Sequence, residues 1–383
     1  MDKKINIVCA FGTRPEAIKM SPLVLALRAH PAFDTKVLVT AQHRELLDSV
    51  LDTFGIVPDH DLNIMRGGQT LTEIVTKALT GAGEYLNEIR PDILLVHGDT
   101  ATTFAASLAG FYAGVSVGHV EAGLRTYNKR EPYPEEMNRL LTGRIADVHF
   151  APTKSARQNL LNENTPADSI YVTGNTEIDA ILSILSKEGE YRYKRDALNG
   201  LDKNGRLIVM TSHRRENLGQ PMTDMCRALR RVVDENPDVT LVWPIHPNPD
   251  VRTAAYAELS GHNRIVLTDA VDTEDMYRLA GSAFMIATDS AAIQEISPIL
   301  NKPCVVLRNV TERPEGVETG ALMLGGNSYE TVYGAVKSVL NDTGVYNRMA
   351  AAANPFGDGK ASQRIVSAVL HHLGINSDRP DDF

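Results

Sequence analysis

What most constrains this chain is an alternation that runs through it: short β-branched and aliphatic runs separated by amphipathic stretches. Residues 5–10, 35–40, 93–97, 115–120, 148–151 and 170–173 are apolar runs of strand length. Strands that are apolar throughout and joined by helices build a parallel sheet covered on both faces. The segments between them carry the helix signals this requires. Thr70 and Glu73 make a capping-box pair, and Leu46, Leu47, Val50, Leu51 and Phe54 make one face that ends at Gly55. After a polar stretch at 187–206, read as a crossing between units, the pattern restarts, with strands expected at 207–211, 239–244, 265–267, 284–287 and 304–307. Met222, Met225, Cys226, Leu229, Val232 and Val233 form a helical stripe between the first two. The expected fold class is α/β, with two Rossmann-like domains on parallel sheets. Single cores rarely grow beyond ~250–300 residues, so a chain of 383 residues divides naturally. The domains are expected at 1–175 and 176–360, leaving 361–383 as a C-terminal helix and polar tail that packs back on the first domain or joins the second. The composition of 376–383 predicts disorder.

A formal net charge of -9 argues against nucleic acid as a partner, so any anion site must be a local gathering of Arg, Lys and His. No stretch approaches the ~20 apolar residues a membrane helix needs, which predicts no membrane partner. Residues 1–10 read as a buried strand after two lysines, not as a signal peptide, and the expected location is cytoplasmic. Cys9, Cys226 and Cys304 lie inside apolar patterns without metal-ligand spacing, as reduced core residues do.

In open parallel sheets, ligands bind beyond the C-terminal ends of the strands. The first strand runs into Phe11-Gly12-Thr13-Arg14-Pro15-Glu16, and the helix that follows carries Lys19. Arg14 and Lys19 at that turn suit a phosphate-bearing ligand, although isolated cations are more often solvated surface charges. The turn lacks the dinucleotide and Walker glycine patterns. Asp99 ends the 93–97 strand and Glu121 the 115–120 strand, while Glu135 follows Pro134 at a helix start above an apolar face of Met137, Leu140, Leu141 and Ile145. Alone, Asp99 suits a helix N-cap as well as an acid or base, and Glu135 could merely offset a helix dipole. Three acids converging on one crevice suit acid–base work, because grouped carboxylates have displaced proton affinities. In the second half, His213 and Arg214 follow one strand and Ser290 opens the helix after Asp289. His246 and Arg313 lie on neighbouring loops, and a lone histidine such as His246 is more often structural.

Several strings are specific: Phe11-Gly12-Thr13-Arg14-Pro15-Glu16-Ala17-Ile18-Lys19-Met20, His97-Gly98-Asp99-Thr100, Gly118-His119-Val120-Glu121-Ala122-Gly123-Leu124-Arg125-Thr126, Pro134-Glu135-Glu136-Met137-Asn138-Arg139, His213-Arg214-Arg215-Glu216-Asn217 and Thr311-Glu312-Arg313-Pro314-Glu315. In order, and over nearly the whole chain, they resemble the non-hydrolysing bacterial UDP-N-acetylglucosamine 2-epimerases. The resemblance implies a glycosyltransferase-B-like pair of domains with the active site in an interdomain cleft, a homodimer, a UDP-sugar substrate, and neither redox cofactor nor metal. It implies interconversion of UDP-GlcNAc and UDP-ManNAc through elimination of UDP to a 2-acetamidoglucal and re-addition. By carry-over, Asp99, Glu121 and Glu135 are the acid–base candidates and His213 contacts the departing UDP. Arg14, Lys19, Ser290, Ala291, Ala292, Glu295 and Arg313 complete the substrate site. The family's Asp-Ser-Gly-Gly-x-Gln-Glu-Glu reads here Asp289-Ser290-Ala291-Ala292-Ile293-Gln294-Glu295-Ile296, so Ile296 stands where a ribose-binding Glu is expected, and Met276 replaces an aromatic beside the base. Gln42, Gln69, Arg214 and His246 match contacts to a second, activating UDP-GlcNAc in some members, whereas Glu45 and Gly68 replace two others. The alternative is a catalytically altered nucleotide-sugar binding protein, or a related enzyme of this fold acting on a different nucleotide sugar.

Overall fold

The computed structural model describes residues 4–41, 44–202 and 204–383. The chain forms two compact units, Met1–Ala180 with Gly357–Phe383, and Ile181–Phe356.

Unit 1 holds seven strands: β1 (Ile5–Phe11), β2 (Phe33–Val39), β3 (His60–Asp61), β4 (Ile93–His97), β5 (Ser116–Val120), β6 (Val148–Ala151) and β7 (Ile170–Val172). Their order is β3-β2-β1-β4-β5-β6-β7, and every pairing is parallel. Ile7 to Phe11 of β1 and Ile93 to Val96 of β4 are wholly buried, which is why they read as unbroken apolar runs. Sheet growth reverses between β1 and β4, and in open parallel sheets such a reversal is where ligands bind beyond the strand ends.

Unit 2 holds β8 (Arg206–Thr211), β9 (Val239–Ile245), β10 (Ile265–Asp269), β11 (Met285–Thr288), β12 (Cys304–Val306) and β13 (Leu322–Leu324). They run β10-β9-β8-β11-β12-β13, again all parallel, with the reversal between β8 and β11. The helical stripe from Met222 to Val233 packs against Leu241, Trp243 and Ile245 in one buried cluster.

Each expected strand is present, with ends displaced by no more than two residues. Two edge strands, β3 and β13, had no readable period because they are two and three residues long. The Thr70–Glu73 capping box forms. Leu46, placed on a buried face, is 52% exposed, since the helix Arg44–Phe54 buries only Leu47, Val50, Leu51 and Phe54.

Two expectations are overturned. The helix Glu135–Ile145 buries Glu136, Asn138, Arg139 and Thr142, while Met137 and Leu141 of its expected apolar face are 37% and 40% exposed. Its inward side mostly serves a polar network, and of the expected face Ile145 packs against the apolar core. The tail is also ordered: Phe383 N–H donates to Val172 O at 2.8 Å and Val172 N–H to Asp382 Oδ1 at 2.9 Å, satisfying groups on edge strand β7. Among the described residues, no helix is long and apolar enough to cross a membrane.

Candidate functional site

In unit 1 the site grows from the loops after β1, β4 and β5. Glu16, fully buried, accepts hydrogen bonds from Gly12 N (3.0 Å), Thr13 N (2.8 Å), Thr100 Oγ1 (2.6 Å) and Thr103 Oγ1 (3.0 Å), binding the β1 loop to the β4 loop. Burial pushes its carboxyl up and these donors pull it back. Gly12 must be glycine: a Cβ there would lie 1.9 Å from Thr40 Oγ1. Among the described residues, the half-buried Arg14 guanidinium has no hydrogen-bond or ion-pair partner, which leaves it available to an anion. Lys19 is placed differently. It pairs with Glu121 and lies 3.6 Å from Glu177, so its charge is engaged by two carboxylates.

The structure gathers the three sequence-predicted acids. Asp99 is not a helix cap; Thr100 is, accepting from Thr103 N at 3.1 Å. Burial raises the Asp99 carboxyl to about 6, opposed by the Arg139 guanidinium and reinforced by Glu121 and Glu135. Glu121 sits in a left-handed conformation, φ 62, a strain of the kind concentrated at functional sites and costing ~1–3 kcal/mol. Glu135 stands in the first turn of its helix with Oε2 buried and lacking a partner among the described residues. A carboxyl titrating near neutrality can hold or release its proton at working pH, which is what general acid–base catalysis asks of a side chain.

Sequence reasoning passed over the surroundings. His97 is buried, with Nε2 3.9 Å from Glu121 Oε2, and burial lowers it to about 4, so it is neutral. His119, also kept neutral by burial, shares a 2.7 Å hydrogen bond through Nε2 with Gly98 O and so pins the residue before Asp99. A histidine inside an apolar strand signals such roles only weakly.

In unit 2, Asp289 is wholly buried and receives Ser212 Oγ (2.7 Å), His213 N (2.9 Å), Arg214 N (2.9 Å) and Asn217 Nδ2 (2.9 Å). It thereby shapes the loop after β8 and leaves the His213 side chain exposed, stacked on His246 with centroids 5.2 Å apart. Ser290, Ala291 and Ala292 are half-buried at the start of the helix Ala291–Ile296. Glu295 and Arg313, both predicted to bind substrate, pair with each other. Ile296 is 0% exposed and belongs to the core. Of the residues matched to an activating ligand, Gln42 lies outside the described residues, Gln69 is in unit 1, and Arg214 and His246 are in unit 2. Among the described residues, no group of three or more His, Cys, Asp or Glu is arranged to hold a metal.

Two parallel-sheet units with charged loops at both reversal points, one of them carrying Asp99 raised to about 6, fall in the glycosyltransferase-B-like α/β class. MurG of Acinetobacter baumannii shares that fold alone, at 15% identity and a TM-score of 0.58 over 96% of this chain and 99% of that one. A family model described as UDP-N-acetylglucosamine 2-epimerase matches residues 25–370. The UDP-N-acetylglucosamine 2-epimerase of Bacillus subtilis is 52% identical over 381 residues, covering 100% of this chain and 99% of the relative. A crystal structure of the Neisseria meningitidis UDP-GlcNAc 2-epimerase bound to UDP-GlcNAc superposes with a TM-score of 0.86 at 42% identity, covering 96% and 100%. The chain belongs to the UDP-N-acetylglucosamine 2-epimerase family.

Proposed function

We propose that this enzyme interconverts UDP-GlcNAc and UDP-ManNAc by inverting C2 of the sugar. One observation carries the reading: Asp99, raised to about 6, lies in the field of Glu121 and Glu135, so several proton acceptors and donors coexist in one cluster. In the forward direction a carboxylate takes the C2 proton, the C1–O bond to UDP breaks, and a C1–C2 double bond forms in a 2-acetamidoglucal. UDP then adds back at C1 while another acid delivers a proton to the opposite face of C2. Two faces call for more than one acid, and the cluster supplies them. Arg14 is assigned to the charge growing on the departing diphosphate. Family membership and the UDP-GlcNAc-bound Neisseria relative favour this reading over an altered binding protein. Turnover in heavy water should place deuterium at C2 of both sugars, read by NMR. Product carrying only protium at C2 would sink the proposal.

We also propose a homodimer. Phe111 and Tyr112 end one helix of unit 1 with 63% and 71% exposure, and the neighbouring helix exposes Met137 and Leu141. Apolar side chains left uncovered on adjoining helices favour burial against a second copy. Sedimentation equilibrium should give twice the 41.9 kDa chain mass; a monomer across the micromolar range would refute it. All three cysteines are free and buried, which supports the expected reducing, cytoplasmic setting.

A further inference from the structure

Asp99 closes β4 on a loop, where a carboxylate could swing unless something held it. The helix Glu135–Ile145 supplies the restraint. Arg139 Nη1 lies 3.5 Å from Asp99 Oδ2, and Asn138 Nδ2 donates to the Asp99 carbonyl at 2.9 Å. The rest of the guanidinium is engaged: Nε and Nη2 each reach Glu136 Oε2 at 2.7 Å. Glu136 is 0% exposed and also accepts from Thr126 N at 3.1 Å and Tyr127 N at 2.8 Å, on the turn that follows Glu121. A guanidinium is a rigid fork, so binding one edge to Glu136 aims the remaining nitrogen. The one helix thus brings Glu135 to the acid cluster and, a turn later, the arginine that faces Asp99.

We propose that Arg139, anchored by Glu136, is a positioning residue that fixes the Asp99 carboxylate and couples it to the turn at Thr126 and Tyr127. The proposal rests on the acid–base reading of Asp99. Arg139 need not touch substrate; its effect passes through Asp99. The charged groups facing Asp99 are Arg139, Glu121, Glu135 and Lys19. Of these, Arg139 is the strongest influence that favours the ionised form, and Lys19 is a lesser one already engaged by Glu121.

The test is the pH profile of kcat/KM for UDP-GlcNAc, measured on the full-length enzyme for wild type, Asp99→Asn, Arg139→Met, Arg139→Lys and Glu136→Gln. The limb that disappears from the residual activity of Asp99→Asn belongs to Asp99. Arg139→Met should move that limb up by about one to three pH units, the range an adjacent cation imposes on a carboxylate. It should also lower kcat while leaving KM near wild type. Arg139→Lys should bring the limb part of the way back. Glu136→Gln should move it the opposite way, to lower pH, because neutralising Glu136 leaves more of the Arg139 charge acting on Asp99. A merely structural pair would not give shifts of opposite sign. If Arg139→Met does not fold, the lysine and glutamine variants carry the same comparison. An unmoved limb in the Arg139 variants, or a shift of the same sign in Glu136→Gln, overturns the proposal. A limb that survives Asp99→Asn at near-normal rate overturns the acid–base reading itself, and so the two failures are distinguishable.

Discussion

Asp99→Asn should lower kcat by ~100-fold to 10,000-fold, the contribution typical of a positioned acid or base, while UDP binds almost as before. Asparagine keeps the size of the side chain and loses the transferable proton, so the chemistry suffers and the fold does not. The profile of the wild type should show a limb near the value of about 6 at which Asp99 titrates. If Asp99 takes the proton in the direction assayed, activity falls as pH drops through that limb; if it gives the proton, activity falls as pH rises through it. The direction of the limb therefore assigns the role. The same displaced carboxyl makes a stability claim. Its folded pKa lies above the ordinary aspartate value, so the folded state binds this proton more tightly than the unfolded chain. The carboxyl therefore costs stability in full above about 6, the cost shrinks as pH falls from there towards the unfolded value, and it is absent below that value. Removing the charge should raise the melting temperature at pH 8, by an amount equivalent to ~1–3 kcal/mol at 1.36 kcal/mol per pKa unit. Calorimetry and steady-state kinetics on the same preparation check both halves. Near-normal turnover, or a clear loss of stability at pH 8, contradicts the assignment.

The second large effect belongs to unit 2. Asp289→Ala should destabilise that unit by ~3–5 kcal/mol, because a buried charge with its donors is removed from one side only. Ser212 Oγ, the backbone N–H groups of His213 and Arg214, and Asn217 Nδ2 would all lose their acceptor. Each buried donor left unpaired costs ~1–3 kcal/mol, part of it recovered when water enters. For a unit of this size the melting midpoint should drop by about 6–15 °C. UDP affinity should fall as well, since His213 and Arg214 owe their position to this carboxylate. Thermal denaturation together with calorimetric UDP titration tests the pair of effects. An unchanged midpoint, or wild-type affinity for UDP, would remove Asp289 from the role given to it.

Much of the architecture was legible because parallel strands buried on both faces must be continuously apolar, and the runs at 93–97 and 148–151 reproduce β4 and β6 residue for residue. The acids were legible for the same reason: a polar residue placed just after such a run falls on the ligand edge of the sheet. The helix Glu135–Ile145 defeated the same logic, since Met137 and Leu141 of its expected apolar face are exposed and its buried residues are Glu136, Asn138, Arg139 and Thr142. Lys19 was read as a cation for phosphate, yet it is also the counterion of Glu121, a residue 102 positions away. The tail was read as disorder from composition alone, which cannot reveal that β7 has edge groups to satisfy.

Local order thus dictated where the strands lie, which residues stand at their ends, and the family to which the chain belongs. The charge state of those residues was settled only by folding. Asp99 titrates near neutrality because the packed sheet removes water from it, while Arg139, from a helix some forty residues further on, restrains the shift. Desolvation and Coulomb interactions depend on distance in space, and no spacing along the chain encodes them.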